Sequence, residues 1–337
     1  MRFKRHLRRS EPYIFAALLL LCLAVELRSG QFFTGNNIVD LARSLTVPAI
    51  FCIGEMLVLI SGGVDVSFPA IASLSMYVVS RYLDDYQGTV ALNLFVGAVL
   101  GLVMGGLNGF LVARFRFPAM LVTLGTTSVF SGILFGALGA REYPVPPPMY
   151  DLGKAKLFSA HNPVSGLSSD MPVSILLLAL LLAATWFLLN RTLTGRGIYA
   201  IGGDPVAAER AGFNLFRIQM FIYCFSGALA GLTGVIRGSM MLNCHPTNLN
   251  GMEMTCIAAC VLGGASITGG KGTLFGVMLG ITLMTVMANS LILIGVPTYW
   301  QRVFTGAIIL VGTGVSAYQA LRGRRKPGAV ARRAGHA

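Results

Sequence analysis

Apolar runs of membrane-crossing length follow one another along this chain with only brief polar interruptions. A helix that crosses the hydrocarbon core needs about 20 predominantly apolar residues. Segments of helical length fall at 13–25, 45–61, 67–83, 89–113, 118–139, 173–190, 216–236, 253–267, 272–294 and 302–321, which predicts ten spans. The third and eighth are short and interrupted by glycine or proline, as tilted or broken elements inside a bundle are. Two longer polar stretches interrupt the pattern, at 140–172 and 191–215. The first carries Pro144, Pro146, Pro147, Pro148 and Pro163, so it reads as a stiff, extended segment. It is either a platform for a partner or a passive connector.

Composition fixes the class. The 337 residues are 55% hydrophobic and only 12% charged, against about 25% charged in a soluble domain. With a mean hydropathy of +0.72, the expected fold is an all-α polytopic membrane protein of about ten transmembrane helices. The expected layout is a basic amino-terminal segment, 1–12, then one transmembrane domain, 13–321, then a basic tail, 322–337. The first apolar run follows MRFKRHLRR but lacks a small-x-small cleavage site, so it is expected to stay as a helix.

The net charge of +13 raises the question of nucleic acid, and its distribution answers it. With ten spans, 18 of the 26 basic residues lie on the side of the termini and 8 on the other. That is the positive-inside pattern, with both termini cytoplasmic and 140–172 outside. The basic tail then reads as a topology anchor beside anionic lipid.

Several residues inside the spans are candidates for mechanism. Gly97, Gly101, Gly105 and Gly109 form a stripe down the fourth helix, echoed by Gly227 and Gly231 and by Gly276 and Gly280. Such stripes let backbones approach closely, either as static packing or as sliding surfaces. Thr123, Thr127 and Ser131 align on the fifth helix, Thr282, Thr285 and Asn289 on the ninth, and Asn108 adds an amide on the fourth. These rows either line a path for an uncharged, hydroxyl-rich solute or bond back to their own helices. Asp65, where the second helix gives way to the third, is a further candidate for the path, with helix capping as its simplest role. Glu55 is the clear titratable group within a span, and it must face protein or water. All four histidines fall in loops or tails, which counts against a proton-coupled carrier.

Catalysis finds no candidate. The six cysteines have no partner histidines at metal-ligand spacing, so no metal site is expected. The segment ASITGGKG, 265–272, misses the phosphate-loop pattern at both ends, with Ala265 and Gly272 in place of the required Gly and Ser or Thr. Any ATP-driven step would therefore need another subunit.

The polar stretch GRGIYAIGGDPVAAERAGFNLFR, 195–217, predicts a short helix over 205–211. Asp204 caps it, Pro205 takes the first position and Gly212 follows the end. Ala207, Ala208 and Ala211 share one smooth face, with Glu209 and Arg210 on the other side. Such a helix either fits another protein's groove or is a capped loop helix with no partner.

AIGGDPVAAERAGF resembles the AxGGNxxAAxxxGI pattern of the ribose, xylose and galactose permeases of bacterial ABC importers. SGGVDVS, 61–67, resembles their SGGIDLS, and VLGGASITGG, 261–270, their VxGGTxxxGG. Phe68-Pro69 and Asp204 depart from that pattern. The resemblance implies an inner-membrane permease for a monosaccharide or polyol, working as a dimer with a second copy or a sister permease. It also implies a separate ABC ATPase carrying ATP and magnesium, no cofactor in this chain, and a periplasmic solute-binding protein. Gly202, Asp204, Pro205, Ala207, Ala208, Glu209, Arg210 and Gly212 become the expected ATPase-coupling residues. The alternative is a secondary transporter or channel for a small neutral solute.

Overall fold

A computed structural model describes residues 11–83, 88–139, 141–162, 166–297 and isolated positions between 300 and 314. Its helices are α1 (Glu11–Ser29), α2 (Gly35–Ile60), α3 (Phe68–Tyr82), α4 (Val90–Phe115), α5 (Ala119–Gly132, continued by a π-turn, Ile133–Ala137), α6 (Pro147–Lys154), α7 (Ser174–Arg191), α8 (Leu193–Gly203), α9 (Pro205–Arg210), α10 (Leu215–Met241), α11 (Met252–Leu262) and α12 (Leu274–Leu293). Among the described residues, α1, α2, α4, α5 with its π-turn, α7, α10 and α12 are long and apolar enough to cross a membrane. The predicted third and eighth spans are the short helices α3 and α11. The predicted tenth span, 302–321, lies largely outside the described residues, as do the basic segment 1–10 and the tail 322–337.

The core is built around α2, whose residues 46–60 are buried except for half-buried Pro48. Polar Asn36, Asn37, Asp40, Arg43 and Ser44 hide its first turns from a hydropathy scan, so the helix begins ten residues before the predicted 45. Large apolar side chains such as Phe95, Val103, Leu121, Leu180 and Phe187 remain exposed on α4, α5 and α7. In lipid these are the solvent-facing positions.

The tightest contact joins α4 to α10. A Cβ at Gly101 would fall on the carbonyl of Gly227 and lie 2.7 Å from the amide nitrogen of Gly231. A Cβ at Gly105 would fall on the carbonyl of Tyr223 and lie 2.8 Å from the Gly227 Cα, and one at Gly231 would fall on the carbonyl of Gly97, so the two stripes form one seam of touching backbones. With no hydrophobic drive between helices in lipid, this close van der Waals contact supplies the adhesion. Gly276 and Gly280 repeat the device between α12 and α11, against Gly263 and Ala259.

The stretch 140–172 corrects the extended reading. Pro147 starts α6, because its fixed φ suits a first helical turn and its missing N–H is not needed there. Antiparallel strands β2 (Lys156–His161) and β3 (Ser168–Pro172) follow, while β1 (Tyr143–Pro144) pairs with β4 (Asn243–Cys244) after α10. Burial pushes the Cys244 thiol up to about 12. Together these pieces cap one end of the bundle. The hydroxyl of Ser159 and the ammonium of Lys156, both on Asp170 Oδ1 at 2.5 and 3.2 Å, hold that exposed carboxyl below its usual range.

Candidate coupling site and solute-facing wall

At the end of the bundle opposite the cap, α8 and α9 cross beneath the ends of α2, α4 and α11. Asp204 Oδ1 accepts from the amides of Val206 (2.9 Å) and Ala207 (3.1 Å), and Pro205 opens the helix as expected. The helix ends at Arg210 with Ala211 as its cap residue, and Gly212 follows at φ +88°. Phe213 closes the end by donating its amide to the carbonyl of Ala208 (3.1 Å).

The expected alanine face needs correction. Ala208 is only 3% exposed and packs into the chain's own core. Two turns of helix must bury one side somewhere, and in this chain that side contains Ala208. The outward set is Pro205, Val206, Ala207, Glu209 and Arg210. Beside it lies a groove of about 600 Å³, lined by the end of α4 with Arg116 and Phe117, by Pro205, Val206 and Glu209, and by residues 212–216 and Gln219.

The three sequence motifs, far apart in the chain, converge directly behind α9. A Cβ on Gly202 would fall on the carbonyl oxygen of Ile60 and lie 2.6 Å from the amide nitrogen of Gly270. Gly269, at φ +84°, leaves room for 2.9 Å between its Cβ position and the Cα atoms of both Gly202 and Gly62. Gly270 donates its amide to the carbonyl of Ile60 (2.8 Å), and the Tyr199 hydroxyl donates to the carbonyl of Gly272 (2.9 Å). The end of α8, the α2–α3 connection and the α11–α12 connection therefore meet backbone to backbone.

The same α2–α3 connection holds Asp65. Its Oδ1 accepts from the amide (2.7 Å) and hydroxyl (2.6 Å) of Ser67, so it orders the turn into α3 and does not itself cap an amide of that helix. Asn108 of α4 donates its amide to the Ser67 hydroxyl oxygen (2.8 Å). Glu55, fully buried, accepts from the Asp65 amide at 3.4 Å. Thr123 accepts from the Val66 amide and donates to the carbonyl of Val64, both at 3.3 Å. Thr127 donates to the carbonyls of Thr123 (2.6 Å) and Val66 (3.3 Å), while Ser131 is half-buried one turn on. The α5 row thus braces a non-helical segment whose backbone groups need partners.

The α12 row behaves differently. Thr282 bonds back to the carbonyl of Met278 (2.7 Å). Thr285 and Asn289 instead line a cavity of about 290 Å³ with Ser44 and Pro48 of α2 and Thr255 of α11. The Asn289 amide donates to Asn37 Oδ1 (2.7 Å), which fixes its orientation. Ser44, Pro48 and Thr255 were not legible as site residues: Ser44 lay just before the predicted start of its span, and Pro48 and Thr255 meet the α12 row only through tertiary packing.

A family described as branched-chain amino acid transport system / permease component matches residues 37–312 of the chain. The ribose import permease protein RbsC of Haemophilus influenzae is 30% identical over 308 residues, covering 91% of this chain and 93% of its own. A probable ABC transporter permease protein, y4mJ of Sinorhizobium fredii, is 32% identical over 93% and 91%. The autoinducer 2 import system permease protein LsrC of Yersinia pseudotuberculosis is 32% identical over 87% and 81%. No solved structure matches.

Proposed function

Because this chain belongs to the family of branched-chain amino acid transport system permease components, we infer that it is the membrane-spanning permease of an ABC importer for a monosaccharide or related polyol. It is a transporter subunit and not an enzyme, and the inner membrane of a bacterium is its location. ATP and magnesium belong to a separate ATPase, a periplasmic binding protein delivers the solute, and a second copy or a sister permease completes the pathway. Both termini and α9 then face the cytoplasm, and the cap faces outward, in keeping with the distribution of basic residues.

The observation that carries the coupling half of this reading is the convergence of the three motifs behind α9. The outward residues Pro205, Val206, Ala207, Glu209 and Arg210 and the adjoining groove offer a surface to the ATPase, while Gly202, Asp204, Ala208 and Gly212 shape and seat the helix. A displacement of α9 passes through Gly202 into the backbones of Ile60–Gly62 and Gly269–Gly270. From there it reaches the braced Asp65 segment and the start of α12. ATP binding that favours one position of α9 then favours one arrangement of the wall, which is a population shift between two packed states.

The test is co-expression with a cognate ATPase and binding protein, read as co-purification, stimulated ATP hydrolysis and sugar uptake in proteoliposomes. Ala207→Trp, at an outward position, is expected to release the ATPase and abolish uptake while the thermal transition of the permease stays put. Normal uptake and a retained ATPase in that variant would remove α9 from the coupling path. Uptake without ATP would instead favour a secondary transporter or channel. Orientation is checked separately: Ser159→Cys should react with an impermeant thiol reagent in spheroplasts and Ala329→Cys should not.

A further inference from the structure

We propose that the cavity beside Pro48 is a solute subsite within the permease, where a neutral, hydroxyl-rich solute exchanges hydrogen bonds with α2, α11 and α12. This deepens the importer reading and rests on it.

The argument begins with Pro48, which lies inside α2. Proline has no N–H, so the carbonyl of Ser44, four residues earlier, loses its helical donor, and the ring pushes against it. Ser44 and Pro48 both line the cavity. The carbonyl that lacks its usual helical donor therefore belongs to a residue of the cavity wall.

The side chains around it are just as available. Among the described residues, the hydroxyls of Ser44, Thr255 and Thr285 have no hydrogen-bond partner in the chain. Their neighbours Thr46 and Thr282 do, on the carbonyls of Ala42 (2.9 Å) and Met278 (2.7 Å). Asn289 is anchored through its amide nitrogen on Asn37, which leaves its carbonyl oxygen for a ligand. Ile281, Met284, Ala288 and Ile292 supply an apolar wall. Convergent uncharged donors and acceptors beside an apolar surface suit a molecule whose edge is hydroxyl and whose face is C–H.

No lining residue carries a charge. An anionic or cationic solute would lose hydration there without gaining a counter-charge, which excludes charged solutes on energetic grounds. The volume, about 290 Å³, sits at the lower edge of the range for small-ligand pockets, about 300–1,000 Å³, a size that suits a single sugar.

The first arm of the test is uptake by the complete complex of labelled ribose, xylose and galactose, with gluconate and glucosamine as charged comparators. Failure of all three neutral sugars, together with failure of other monosaccharides and polyols, overturns the importer reading itself, and with it the subsite. The transported sugar is then used in the second arm. Thr285→Cys is labelled with a small neutral thiol reagent during turnover, with Val129→Cys, exposed on α5, as the lipid-facing control. The expected result is slower labelling at position 285, by at least about threefold, and no change at 129. Equal rates with and without sugar overturn the subsite while leaving transport intact.

Two substitutions separate ligand contact from packing. Thr285→Val keeps the shape and removes the hydroxyl, and is expected to slow uptake about fivefold, the equivalent of one hydrogen bond, with no change in thermal stability. Pro48→Ala returns an N–H to the Ser44 carbonyl and should stabilise α2 yet reduce uptake. If both variants transport at the wild-type rate, the cavity is not on the path.

Discussion

Two regions of this molecule bring backbones into contact through glycine, and they do it for different reasons. In the seam between α4 and α10, glycines recur at four-residue steps on two regular helices and meet their counterparts turn by turn. The seam has one register and no element free to move independently. At the junction behind α9, the contacting residues Gly62, Gly202, Gly269 and Gly270 come from two connections between helices and the last turn of α8. That last turn leads directly into the exposed helix α9. Small residues in a membrane protein thus mark closeness alone. Whether the close contact is a weld or a joint depends on what lies at its far end.

The largest expected effect lies in the seam. Gly101→Leu would drive a side chain into the backbone of α10, an overpacking that costs more than about 3 kcal/mol. Loss of folded, monodisperse protein is expected, measured as yield and thermal transition after solubilisation. Gly125→Ala, where an added Cβ meets nothing within 4 Å, should be neutral or slightly stabilising. A well-folded Gly101→Leu variant would dissolve the distinction between weld and joint.

A smaller effect is expected from Tyr199→Phe, which removes the hydroxyl held on the Gly272 carbonyl at 2.9 Å. One hydrogen bond corresponds to about 1 kcal/mol, so uptake per ATP should fall by about fivefold or less without loss of the ATPase. An unchanged ratio would mean that this strut does not stiffen the junction.

The exposed Lys156–Asp170 pair on the cap gives the smallest effect. Asp170 titrates below the usual 3.8 because Ser159 and Lys156 favour its ionised form. A lowered folded-state value means a contribution that is present above the ordinary carboxylate range and lost as pH falls through the folded value. The β2–β3 hairpin should therefore become more open to protease only at strongly acid pH, and Asp170→Asn should remove that dependence. Acid-sensitive transport traced to this residue would give the cap a larger role than its exposure suggests.

How much of this was legible in the sequence follows the same division. The seam could be read because a four-residue glycine period survives as a pattern, and α9 could be read because Asp204, Pro205 and Gly212 are local signals. The junction glycines were visible as motifs, yet their meeting was not, since contacts between distant connections leave no period. Ala208 was assigned to the wrong side for a related reason: a two-turn helix has faces, but only tertiary packing says which one is buried. The hydroxyl rows on α5 and α12 look alike in sequence. They part company because one lies against the unwound 64–67 segment and the other against the Pro48 turn of α2.

The joint is tested most directly by a pair of adjacent substitutions, Gly202→Ala and Gly203→Ala. At Gly202 an added methyl must displace the Ile60 and Gly270 backbones, whereas at Gly203 it meets nothing within 4 Å. The measurement is sugar imported per ATP hydrolysed, in proteoliposomes containing the permease, its ATPase and its binding protein, with the thermal transition as a check on folding. If the stroke of α9 passes through this contact, Gly202→Ala keeps the ATPase bound and hydrolysing while import falls more than about tenfold, and Gly203→Ala behaves as wild type. Equal ratios in both folded variants would contradict it.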